Sequence, residues 1–231
     1  MAEAELCGMI PEETDAEFVA QHLSAYAFMR PAVGRERVLE VGFGDGYGAA
    51  YLSEAAREVV GVDVTVPNIP RAQAKYRRAN LSFQPFDGLH LPFPEESFDA
   101  AGTFQVIEHV PEPDLVPWLT EIRRVLKRRG RLYLSTLNLE QAMKPGRPYE
   151  KLIYHQKEFT APELESLLRK VFPAVTLYGL HRGLKHRFFR RLKKWGLPVN
   201  GYYSRITIRD FVVERSRIRR AADLLAVCRK E

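Results

Sequence analysis

The chain has 231 residues, 45% hydrophobic and 28% charged, with a formal net charge of +6; this is apolar material for one substantial core and excludes wholesale disorder. No apolar run reaches membrane-spanning length, and the acidic start, with Glu3, Glu5, Glu12 and Glu13, lacks the basic and apolar regions of a signal peptide. The two cysteines, Cys7 and Cys228, lie far apart and read as free thiols, so the expected compartment is the cytoplasm.

In chain order, Thr14-Asp15-Ala16-Glu17 has the form of a capping box, and the apolar Phe18, Val19, Leu23, Tyr26 and Met29 predict a helix that Pro31 closes. Two readings of this helix stay open, a flank packed on the domain or a lid over a ligand that brings His22, Tyr26 or Arg30 to the site. Val38, Leu39 and Val41 then predict a buried strand, broken by glycines at 42, 44, 46 and 48. A helix through Ala49, Ala50, Leu52 and Ala55 follows, and a second apolar strand, 59–62, ends on Asp63. Strand, glycine turn, helix, strand and acid make a βαβ nucleotide-binding unit.

Tyr47 stands where a dinucleotide fingerprint has its third glycine, which argues against a nicotinamide ligand. Glu40 lies inside the first strand, where an unpaired carboxylate is costly, so a cationic partner is expected. An ammonium on the ligand supplies one.

Residues 81–87 predict a strand that Pro85 confines to a sheet edge. Further strands are predicted at 100–105, 131–137, 175–179 and 223–228, with a helix from Asp114 through Leu119, Ile122 and Val125 and another after Thr160-Ala161-Pro162-Glu163. A long connection, 138–158, carries Tyr154 and His155, both candidate substrate contacts. About forty residues separate the last two strands. Within them Arg182, Lys185, Arg187, Arg190, Arg191, Lys193 and Lys194 supply seven cations with no acid between, leaving 28 basic and 29 acidic residues elsewhere.

Residues 38–46, Phe86-Asp87-Gly88-Leu89 with Leu91-Pro92-Phe93, Ser97-Phe98-Asp99, residues 106–110 and residues 132–138 together resemble, in order, the motifs of the class I S-adenosylmethionine-dependent methyltransferase family. The likeness covers roughly residues 36–180. It implies an α/β, Rossmann-like sheet of seven strands in the order 3-2-1-4-5-7-6, strand 7 antiparallel, with helices on both faces. The chain 1–231 is then a single domain with an N-terminal helix or lid at 12–30 and a basic insertion at 182–208.

The resemblance also implies S-adenosylmethionine as cofactor. Glu40, Gly42, Gly44 and Gly46 would hold its methionine end, Asp63 its ribose, Asp87, Gly88 and Leu89 its adenine, and Gln105 the edge near the methyl group. Glu108 and His109 are the candidate catalytic pair. An imidazole titrates near neutrality and can take a proton from an attacking hydroxyl, but the same pair recurs in the family among enzymes with different substrates, which suits a structural duty equally. No metal is expected, because Gln105 is a weak ligand for a hard cation and the histidines show no paired spacing with cysteine.

The expected activity is methyl transfer to an oxygen or nitrogen of a small, anionic or lipid-like acceptor. Three readings of the basic insertion stay open: a solvated helix, a clamp for an anionic substrate or nucleic acid, and a peripheral contact with an anionic membrane. A noncatalytic cofactor- or RNA-binding protein and an RNA methyltransferase are the alternatives.

Overall fold

The computed structural model describes residues 8–143 and 149–231. Cys7 and the part of the long connection at 144–148 lie outside them. The described strands form a single eight-stranded sheet. Its strands are β1 (Arg37–Val41), β2 (Glu58–Asp63), β3 (Leu81–Pro85), β4 (Phe98–Phe104), β5 (Leu126–Leu137), β6 (Ala174–Arg182), β7 (Phe211–Glu214) and β8 (Asp223–Arg229). They lie in the order β3-β2-β1-β4-β5-β8-β6-β7.

The predicted fold class therefore holds, with one correction. The sequence reading counts seven strands and makes its sixth an edge, but the chain between β6 and β8 also supplies β7, which pairs antiparallel with β6 from Gly179↔Glu214 to Arg182↔Phe211. Phe-Val-Val-Glu, four residues with no alternation, gives too little periodicity to separate it from a loop. The predicted last strand is β8, antiparallel to both β5 and β6. Pro85 does end the edge strand β3, where its missing N–H costs no ladder bond.

Helices cover both faces. On one, α1 (Ala16–Met29), α2 (Tyr47–Ser53) and α3 (Asn68–Lys75) bury Tyr26, Met29, Ala49, Leu52 and Ile69 against Val38, Val59 and Ala100. On the other, α4 (Leu115–Val125) and, past the short α5 (Leu139–Ala142), α6 (Ala161–Arg169) bury Trp118, Leu119, Ile122, Leu164 and Leu168 against Leu39, Val60 and Leu132. Strands buried on both sides read as unbroken apolar runs, which is why β1 and β2 are easy to find in the sequence.

The Thr160 capping box forms as predicted, whereas the one at Thr14 does not. Thr14 Oγ1 donates instead to the Ile10 carbonyl, 2.7 Å away, inside a preceding turn. Between β6 and β7 the chain makes α7 (Leu184–Lys194) and the short α8 (Asn200–Tyr203).

Candidate functional site

The carboxyl ends of β1, β2, β4 and β5 and the beginning of antiparallel β8 meet at one end of the sheet. In open α/β sheets that end carries the ligand. The turn after β1 takes its shape from glycine. Gly42, Gly44 and Gly46 all have positive φ, and a Cβ on Gly42 would stand 2.5 Å from Val106 Cγ2. Bare backbone here lets a ligand approach.

Asp63 closes the turn from the neighbouring strand. Its Oδ2 accepts from Gly44 N–H and its Oδ1 from Thr65 N–H, each at 2.8 Å. The side chain is buried, and burial raises its pKa although the two amides pull against it.

Glu40 is fully buried in the middle of β1. Within the chain, Tyr26 Oη donates to its Oε1 at 2.6 Å. Its other oxygen, Oε2, has no hydrogen-bond partner. Burial pushes its pKa up to about 8, with the Asp63 charge adding to the rise. Tyr26 itself touches His22 and Tyr47, and the His22 Nδ1 and Tyr47 hydroxyl are in direct contact. Burial lowers the His22 pKa to about 4. An orphan carboxylate oxygen, a ribose-length acid and an open glycine turn fit a ligand with an ammonium at one end and a sugar at the other.

A cavity of about 300 Å³ opens beside the turn. Gly42, Gly44 and Tyr47 form one wall, and Gln105, Glu108, His109 and His155 another. Helix α1 contributes Phe18, Gln21, His22 and Tyr26, and the rest of the lining includes Gly8, Met9, Asp45, Phe104, Leu152 and Asp223. Of the residues predicted from sequence, Gly42, Gly44, Gln105, Glu108, His109 and His155 therefore share one cavity.

Others stand outside it. Glu40, Gly46 and Asp63 are next to lining residues but do not themselves line it. Asp87, exposed, and the half-buried Gly88 and Leu89 form a turn beyond β3, in which the Asp87 carboxylate accepts from Leu89 N–H and His90 N–H. Those two amides and the His90 ring hold the Asp87 pKa down to about 2. Tyr154 is 74% exposed and meets the site only through its carbonyl, 3.1 Å from His109 Nδ1.

Glu108 is buried, with Thr136 Oγ1 donating to its Oε2 at 3.0 Å, and its backbone carbonyl accepts from Gln156 and Lys157 N–H. The second pairing ties the long connection to the end of β4. Burial pushes the Glu108 pKa up to about 7, helped by the nearby Asp223 and Glu158 charges. His155 donates from Nδ1 to Glu158 Oε1 at 2.6 Å, and its ring meets that of His109 edge-on at 4.9 Å. Gln105 takes a left-handed backbone, φ 56°, which turns the chain from β4 into this wall.

The sequence reading misses Gln21 and Asp223. Gln21 Nε2 donates to Asp223 Oδ2 at 2.9 Å, and burial pushes the Asp223 pKa up to about 6. A lone acid opening the apolar run 224–228 was the available signal.

Residues 39–134 match the model of the methyltransferase domain family. A probable S-adenosylmethionine-dependent methyltransferase of Mycobacterium tuberculosis is 35% identical over 173 residues, covering 72% of this chain and 60% of the relative. A fatty-acid O-methyltransferase of Mycolicibacterium smegmatis is 37% identical over 97 residues, 41% of this chain and 35% of that one. The chain thus spans at most about three fifths of these relatives. A solved Thermotoga maritima protein described as a possible histamine N-methyltransferase shares the fold at a TM-score of 0.66 and 21% identity, over 93% of each chain.

Proposed function

We propose, from the matching methyltransferase-domain model over residues 39–134 and the 35% identical relative, that the chain is a class I S-adenosylmethionine-dependent methyltransferase that moves a methyl group to an oxygen or nitrogen of a small lipid-like acceptor held in the cavity beside α1. The observation that carries this reading is the junction itself: the glycine turn and the wall of Gln105, Glu108, His109 and His155 line one cavity. S-adenosylmethionine, when bound, supplies a methyl group already activated on a sulfonium. The chain's own task is to align the acceptor and keep water out.

Glu40 and the turn at Gly42, Gly44 and Gly46 take the methionine end in this reading, Asp63 the ribose hydroxyls, and Asp87 with Gly88 and Leu89 the adenine. Gln105 sits at the end of β4 beside the methyl position. Tyr26, held by Glu40, is the part of α1 that closes over the turn. Glu108, His109, His155 and Asp223 supply polar groups for the acceptor, and Phe18, Met9 and Leu152 supply apolar ones. The N-terminal segment 12–30 acts as the lid.

The lipid-like class draws on that apolar half of the lining and on the relative described as a fatty-acid O-methyltransferase. Helix α7 favours the same class. It buries His186 and docks on α1, with Glu17 3.1 Å from His186 Nε2 and accepting from Arg182 Nε at 3.2 Å. Its outer side exposes Leu184 and Phe188, with Trp195 beside them, among Lys185, Arg187, Arg190 and Arg191. Apolar and cationic groups on one helix suit an anionic lipid surface next to the α1 side of the cavity. No described helix is long and apolar enough to cross a membrane.

The test is transfer of a labelled methyl group from S-adenosylmethionine to fatty acids, hydroxylated lipids and amine controls. Product from the lipid-like set, lost on Asp63→Ala, supports the reading; product from the amines alone overturns its acceptor class.

A further inference from the structure

Three groups able to ligate a cation stand together on the cavity wall that Gln105 begins. Glu108, His109 and His155 come from two segments far apart in sequence, yet one ligand atom from each lies within 4.8 Å of the others. A slight contraction brings all three onto one ion at bond lengths of about 2.0–2.2 Å.

Each of the three is held by a partner of its own. His109 Nδ1 faces the Tyr154 carbonyl and His155 Nδ1 faces the Glu158 carboxylate. A carbonyl and a carboxylate only accept, so both Nδ1 atoms carry the proton and both Nε2 atoms present a lone pair. Thr136 Oγ1 donates to Glu108 Oε2 and fixes the carboxylate. Imidazoles oriented by a carboxylate or carbonyl behind them, beside a tethered carboxylate, are the arrangement that prepares metal ligands.

We propose that Glu108, His109 and His155 form a site for a divalent first-row transition cation, open on the cavity side. Two neutral imidazoles with one carboxylate suit zinc, cobalt or iron(II) better than magnesium, which prefers oxygen ligands and octahedral water. All three residues line the cavity, so an oxygen of the acceptor can complete the shell. That last role rests on the methyl-transfer reading, whereas the site itself does not. The sequence reading expects no metal here, because Gln105 is a weak ligand for a hard cation and His155 lies 46 positions after His109.

The test is titration of the full chain, stripped of metal with a chelator, with Co²⁺ followed by visible absorption and with Zn²⁺ followed by calorimetry. S-adenosylhomocysteine is titrated in parallel. We expect one Co²⁺ per chain, displaced by Zn²⁺ and not by Mg²⁺. His109→Ala and His155→Ala should each weaken it about 10-fold or more, and Glu158→Gln, which touches no ion, by a smaller factor within the roughly 10–100-fold range of outer partners. His90→Ala, an exposed histidine on the turn after β3, serves as the control and leaves affinity unchanged.

No Co²⁺ binding by a chain that still binds S-adenosylhomocysteine overturns the metal site alone. Co²⁺ binding that survives the His109→Ala, His155→Ala double variant overturns it too, by placing the ion elsewhere. Co²⁺ binding without S-adenosylhomocysteine binding leaves the site and removes the methyl-transfer reading.

Discussion

The two walls of the cavity are built in different ways. The glycine-turn wall comes from one run of chain, residues 37–63, with the strand, the turn, the helix and the acid in sequence order. The opposite wall is gathered from α1, the end of β4, the 149–158 segment and the first residue of β8. A contiguous wall is fixed by local backbone geometry, so substitutions there act on cofactor binding. A gathered wall is fixed by topology, so substitutions there act on what the cavity holds beside the cofactor. The contrast is itself testable.

The largest effect should come from Asp63→Ala. It removes the acid proposed to take the ribose and also frees Gly44 N–H and Thr65 N–H, so S-adenosylhomocysteine affinity should fall about 100-fold, in line with the loss of charged hydrogen bonds. Asp223→Asn, across the cavity, should leave that affinity within about twofold by the same calorimetry. An equal loss from both would erase the distinction between the walls.

Gly42→Ala comes next. Its Cβ would meet Val106 at 2.5 Å at a φ of 79°, so the turn must shift. A drop of a few degrees in Tm and roughly 10-fold weaker S-adenosylhomocysteine binding are expected, each about 1–2 kcal/mol.

Glu40→Gln separates stability from binding. The folded carboxyl titrates at about 8 against 4.5 ordinarily, so the folded state holds the proton more tightly. Its contribution is complete below pH 4.5 and is lost as the pH rises through 8. Glutamine cannot ionise. The variant without ligand should therefore melt at or above wild type near pH ~8, by about 2–4 °C per kcal/mol recovered, and the gap should close toward pH ~5. On the proposed pairing of Glu40 with the ligand's ammonium, it should also bind S-adenosylhomocysteine roughly 10-fold more weakly. A variant that melts lower at both pH values would deny Glu40 this role.

The smallest effect on the cofactor belongs to α7. Reversing Arg190 and Arg191 to Glu should leave S-adenosylhomocysteine affinity unchanged and abolish co-sedimentation with phosphatidylglycerol vesicles. Trp195 is 74% exposed and Trp118 is 2% exposed, so the fluorescence shift on vesicle binding reports the former. Retained vesicle binding by the reversed variant would remove α7 as the contact.

The same contrast explains what could be read from the sequence. The glycine-turn wall was legible because each of its features is local: alternate glycines at 42, 44 and 46 permit a turn of positive φ, and a buried run that ends on Asp63 presents that acid at the carboxyl end of its strand. The sheet order followed from the family likeness and from Pro85. The acceptor wall was partly legible, since Glu108, His109 and His155 could be named but not brought together. Their meeting depends on the Gln156 and Lys157 amides finding the Glu108 carbonyl, a pairing with no sequence period.

Gln21 and Asp223 were lost for the same reason, being 202 positions apart. β7 was lost because it is four residues long. The capping box at Thr14 failed because a competing turn at Ile10 satisfies the hydroxyl first.

The central claim is that the 37–63 run makes a cofactor site for S-adenosylmethionine, and calorimetric titration of the chain with S-adenosylhomocysteine, beside Asp63→Ala and NADH, tests it most directly. One site per chain, weakened about 100-fold by the substitution and absent for NADH, is the predicted result. A folded chain that binds NADH, or that binds neither ligand, would contradict it.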